Sequence, residues 1–240
     1  MSDTLDRPDE RWRLSNNPYT LARLVKGRRE GKRKYRLLVA AFIRRVWSKL
    51  NPEQRAALEV IERYADGAAK YNEMRLAVQG MRIDGHRSQP LLVEAARRDA
   101  WSGVPEVIGE LLGMLWSSAP DDLEEALNGP LGGSRWITTD YWKGECAALC
   151  HIVRDAFADV FRPVALDPSW RTSTVLQLAE AAYAHREQPA NTFEPLRLAV
   201  LADALQDAGC AEPLVLDHLR GPGPHAPGCW VVDLLLGKEA

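Results

Sequence analysis

Leucine, alanine, valine and isoleucine recur at three- and four-residue intervals from Pro18 nearly to the end of the chain, with proline or glycine at the joints, and period-two alternation is almost absent. A chain written this way buries its apolar residues along helical stripes and not on sheet faces. The expected fold is therefore all-α, an irregular multi-helix array or bundle. At 240 residues the chain is long enough to build a core without staples.

The punctuation supports the pattern. Asn17-Pro18 reads as a cap and first helical residue for TLARLVKG, and Asn51-Pro52 repeats the signal before a helix lined by Ala57, Leu58, Ile61 and Ala65 and ended by Asp66-Gly67. Between them KRKYRLLVAAFIRRVWSKL sets Leu38, Phe42, Val46 and Leu50 on one side. A helix is expected from about Tyr141 to Phe161, Thr172 or Ser173 can cap the next, and shorter helices cover EPLRLAVLADALQDAGC, EPLVLDHLRG and CWVVDLLLG. Four regions follow: a polar tail over 1–17, an N-terminal helical region over 18–127, a Gly-rich loop over 128–140, and a C-terminal helical region over 141–240.

Charge is distributed unevenly. Between Arg23 and Arg55 twelve cationic side chains face only Glu30 and Glu53, a local net of +10 in a chain whose formal net charge is -2. A cluster such as Arg28, Arg29, Lys32, Arg33 and Lys34 suits phosphate neutralisation, docking on an acidic surface of a partner or of the same chain, or plain solvation. Trp136, in the Gly-rich segment, is a candidate interface residue, since an aromatic in an irregular segment can anchor a loop or a partner.

The cysteines, Cys146, Cys150, Cys210 and Cys229, lack the dense spacing of a disulfide-stapled module. Cys146 and Cys150 share a helix face, and with His225 and Cys229 they are chemically able to form a tetrahedral metal site. The competing reading makes helical cysteines small core hydrophobes. His218 adds another soft ligand type nearby. Cys229, at the start of the last helix and four residues after His225, is also a candidate nucleophile paired with that histidine. No P-loop, GxGxxG, GxSxG or HExxH is present.

The run FRPVALDPSWRTSTVLQLAEAAY, with PLRLAVLADALQDAGC and LDHLRGPGPHAPGCWVVDLLLGKE after it, resembles the C-terminal signature of an abundant bacterial protein family found chiefly in planctomycetes. KRKYRLLVAAFIRRVW followed by ALEVIERYADG resembles the N-terminal signature of the same family. Typical members carry a cysteine-rich N-terminal helix and a long alanine-rich middle, whereas VAAFIRR has no cysteine and residues 68–140 are not alanine repeats. The resemblance implies a helical protein and supplies no activity, substrate or catalytic residue.

The polar N-terminus has no apolar signal core, and the apolar runs LLVAAFI and WVVDLLLG are far short of the roughly 20 residues that span a bilayer. The expectation is a cytoplasmic, non-enzymatic protein-interaction or scaffold module without a cofactor, whose partner is another protein or an acidic surface and not a membrane. The alternatives are a nucleic-acid-binding protein using residues 23–55 and a cysteine-dependent enzyme built on Cys229 and His225.

Overall fold

The computed structural model describes residues 7–25, 31–80, 89–96, 104, 107–109, 111–112 and 140–238. Over these the chain is predominantly helical, as the periodicity predicts. The helices are α1 (Pro8–Leu14), α2 (Pro18–Val25), α3 (Lys32–Arg44), α4 (Pro52–Ala65), α5 (Tyr71–Gly80), α6 (Gln89–Ala96), α7 (Asp140–Ala156), α8 (Ser173–Ala184), α9 (Pro195–Asp207), α10 (Pro213–Arg220) and α11 (Trp230–Leu236). Among the described residues the only sheet is a two-residue antiparallel ladder, β1 (Arg186–Glu187) with β2 (Thr192–Phe193). It interrupts the stretch after α8, where Asn191 takes a left-handed conformation with φ 57°.

Local signals set the helix ends. Asn51 accepts from the Gln54 amide while the Gln54 side chain accepts from the Asn51 amide, a reciprocal capping box. Asn17 accepts from the Tyr19 amide, and Thr172 from that of Val175. Three elements differ from expectation, the first being α3, which ends at Arg44 and gives way to a 3₁₀ turn over Trp47–Lys49 where the spacing predicts a helix running to Leu50. The tail contains α1, which buries Trp12 and is tied to α7 by Arg154, whose guanidinium donates to the carbonyls of Trp12 and Ser15. Helix α7 ends at Ala156, five residues early, where the Asp159 carboxylate turns back to accept from the Phe161 amide.

The buried apolar residues form two clusters. The first runs from Trp12 to Phe157 and is centred on α3, which packs against α4, α6 and α7. The second runs from Val175 to Leu235 and is built by α8 against α9 and α11, with α10 on α9. Helix α7 thus belongs with the N-terminal helices, and none of residues 158–174, which connect the clusters, is buried.

Between the clusters lies a largely polar seam. Arg33, in the first turn of α3, donates from Nη1 to Asp233 Oδ2 at 2.7 Å and to the Lys238 carbonyl at 2.7 Å. Its Nη2 donates to Asp233 Oδ1 and Asp66 Oδ1, each at 3.1 Å, and to the Tyr183 hydroxyl at 2.8 Å. Lys34 stands 3.9 Å from Asp233. Further along α3, Arg44 pairs with Glu62 and donates to the Pro189 carbonyl, and Arg45 pairs with Glu145. Part of the basic segment is therefore docked on acidic groups of its own chain. Lys32 is exposed, and Arg28, Arg29 and Trp136 lie outside the described residues.

The Asp233 side chain is wholly buried, so removing its main partner leaves a charge in a low-dielectric interior. Arg33→Ala is expected to cost on the order of 3 kcal/mol in a urea or thermal melt. Lys32→Ala, on the exposed face, is expected to stay within about 0.5 kcal/mol of the parent.

Candidate metal centre

Asp155 lies in the last turn of α7, its side chain 4% exposed. From the first core it reaches three residues of the second: His218 in the last turn of α10, His225 in the loop that follows, and Cys229 at the N-cap of α11. One donor atom from each of the four comes within 4.8 Å of every other. His225 Nδ1 is 2.7 Å from Asp155 Oδ1, and His218 Nε2 is 3.2 Å from Asp155 Oδ1 and 3.2 Å from Cys229 Sγ.

Neighbouring groups hold this set in place. The Ala226 amide donates to Asp155 Oδ2 at 2.8 Å, which turns Oδ1 toward the histidines. The His218 ring packs edge-on to His225 with centroids 4.7 Å apart and lies 5.2 Å from the Trp230 ring. The loop needs Gly223, whose φ is +65° and where a Cβ would sit 3.1 Å from the His225 nitrogen and 3.2 Å from its ring. Gly228 has φ +98°, and a Cβ there would press within 3.2 Å of Leu37 of α3.

Burial alone would push the Asp155 carboxyl up, but hydrogen bonds from His218 and His225 outweigh it and hold the group well below the usual carboxylate range. Since an ionised carboxylate only accepts, His225 carries its proton on Nδ1 when metal-free. Burial lowers the His225 pKa, and its bond to Asp155, the Asp155 charge and the Gly221 backbone more than reverse this. The Cys229 thiol is pushed well up by burial and by the Asp155 charge.

Two chemistries can be compared on this geometry. In a relay from carboxylate through imidazole to nucleophile, the acid and the nucleophile engage opposite ring nitrogens. Here Asp155 and Cys229 both approach Nε2 of His218, and Nε2 of His225 is buried without a hydrogen bond. Such convergence on one point is the arrangement of a coordination sphere. Zinc bonds of about 2.0 Å to nitrogen and oxygen and about 2.3 Å to sulfur give tetrahedral edges of roughly 3.3–3.6 Å. The shortest separation, 2.7 Å, lies below that range and the 4.8 Å bound above it, so side-chain shifts of about an ångström would bring the four donors to the distances of a zinc site.

The cluster corrects the expectation of a non-enzymatic interaction or scaffold module. A buried carboxylate, two imidazoles and a thiol gathered at one point could hold a metal ion and point toward a catalytic or cofactor role, which a bare docking surface does not need. It contains both residues of the cysteine-based alternative, Cys229 and His225. It does not contain Cys146 or Cys150. Cys150 is buried in the first core and Cys146 packs half-buried against it, both as small hydrophobes. Asp155 and His218 take their places in the donor set. The available signal was the pair of histidines closely preceding Cys229, whereas Asp155 reads in sequence as an ordinary helical acid.

Comparison with known protein families, curated proteins and solved structures finds no match to this chain. Among the described residues no helix is long and apolar enough to cross a membrane.

Cys229 has no exposed surface and Cys146 is partly exposed, so alkylation of the chelated, folded protein is expected to modify Cys146 first. Cys229 is expected to react only at the rate of unfolding, as peptide mapping after timed iodoacetamide exposure would show. Fast labelling of Cys229 in the folded chain would contradict its placement.

Proposed function

We propose that the protein carries one metal ion of the zinc class as a resident cofactor, held by Asp155, His218, His225 and Cys229. The observation that carries this reading is the convergence of four donor atoms of the right chemistry within 4.8 Å. One thiolate, two imidazoles and one carboxylate form a borderline-soft set that suits zinc better than magnesium or calcium, which take oxygen donors. The surroundings agree with a ligand role. The second oxygen of Asp155 is fixed by the Ala226 amide. Binding the ion would replace protons now held by the donors, Cys229 giving up its own as it becomes a thiolate.

Four protein donors fill the tetrahedral sphere of zinc, so an oxygen would be activated there only as a fifth ligand, and the chemistry the ion would supply to it is Lewis-acid polarisation. Access is set by the chain itself: Cys229, Asp155 and His225 are enclosed, and the His218 side chain keeps 17% of its surface exposed. The His218 edge is the proposed point of entry for solvent and a small substrate.

Protein prepared without chelator is expected to hold close to one zinc per chain by elemental analysis. Cobalt substitution should give visible bands of a tetrahedral ion together with a thiolate-to-cobalt charge-transfer band, and Cys229→Ser should abolish the latter. His225→Gln should weaken binding by at least about 100-fold, since even residues behind the ligands contribute about 10- to 100-fold. Added cyanide or azide should shift the visible bands if the His218 edge is open. Absence of bound metal and of cobalt spectra would refute the reading.

A further inference from the structure

We infer that metal occupancy locks the two hydrophobic cores together, so that the ion acts as a clamp across the seam; this rests on the metal-site reading above. Its basis is the origin of the donors. Asp155 belongs to α7, whose Leu149, Ile152 and Val153 are buried in the first core. Cys229 is buried in the second core, and His218 and His225 come from the segment leading to it. One ion bound by all four is a cross-link between bodies whose buried apolar residues form separate clusters.

The rest of the seam explains why a clamp would matter. The covalent connection, residues 158–174, buries none of its side chains. Other contacts across the seam are Arg33 with Asp233 and Tyr183, Arg44 with the Pro189 carbonyl, and the buried Leu37 of α3 against Gly228. Two cavities open along it, each walled by both cores. One of about 470 Å³ lies between α4 and residues 186–191, lined by Glu62, Asp66, Arg186 and Asn191 among others. The other, of about 240 Å³, lies between α3 and the histidine loop, against Ile152, Thr192, Pro224 and Ala226. Polar interfaces with gaps permit relative motion of the parts they join. Without the ion, the cluster is held across the seam, among the described residues, by the contacts of Asp155 with His218, His225 and the Ala226 amide. With it, opening the seam requires a metal bond to break.

The linkage has a definite size. A ligand bound only by the closed form suppresses the open form by the factor one plus its free concentration over its dissociation constant, about a hundredfold at a hundred times that constant. The Ala226 amide, which donates to Asp155 across the seam, reports opening directly.

The test uses the full chain in zinc and in EDTA, with bound metal measured in each sample. In EDTA, thermal unfolding is expected in two separable steps, one per core. In saturating zinc it should merge into a single step, with hydrogen exchange at Ala226 slowed about a hundredfold at zinc a hundred times its dissociation constant. Asp155→Asn retains the donors of the second core. Loaded with zinc at a higher concentration, it should still unfold in two steps. One bound ion per chain with unchanged step number, or an Asp155→Asn chain that couples as the parent does, overturns the clamp and leaves the metal site standing. Failure of zinc and cobalt to bind at all overturns the metal site itself, and the clamp with it.

Discussion

A single buried carboxylate, Asp155, organises the centre of this protein. Enclosed with almost no solvent contact, it stays ionised because two imidazoles and one backbone amide point at it. An unpaired charge in that position would be prohibitive, so the two cores can close on each other only with Asp155 set against His218, His225 and the Ala226 amide. The requirement also fixes the approach of α7 to the second core, since Asp155 Oδ2 meets the Ala226 amide and Oδ1 meets both rings.

Arg33 solves the same problem at a second point of the seam with the cores exchanged. There the wholly buried acid is Asp233 of α11, and the neutralising group comes from α3. Asp66 and Tyr183 complete the network, with the Tyr183 hydroxyl donating to Asp66. Each core thus contributes a buried acid to the seam, Asp155 from the first and Asp233 from the second, and each acid is satisfied by the opposite core. This reciprocity makes the contact selective in register, and two cavities open along it. It also accounts for part of the basic segment, since Arg33 and Arg44 are spent on contacts inside the chain.

The candidate site was partly visible in the sequence and partly not. His225 and Cys229 stand four residues apart in a proline-rich loop and drew attention as possible ligands or as a reactive pair. Cys146 and Cys150 completed that set on helix spacing alone, and α7 turns Cys150 into the first core instead. One turn further along the same helix, Asp155 faces the other way and supplies the donor that the cysteines do not. Which side of α7 meets the histidine loop is decided by burial of Leu149, Cys150 and Val153, a packing outcome with no local signature.

What the sequence determined by itself is the set of helices and most of their ends. Apolar spacing fixes which stripe of each helix avoids water, and a cap such as Asn51 with Gln54, or Thr172 before α8, satisfies amides only a few residues away. These effects act within one or two turns and are readable wherever they occur. The tertiary structure alone decided that the apolar stripes form two cores with a polar seam, and that Asp155, His218, His225 and Cys229 converge. Asp155 lies on α7 and the other three within residues 218–229, so their meeting depends on how whole helix faces pack, which no short-range rule encodes.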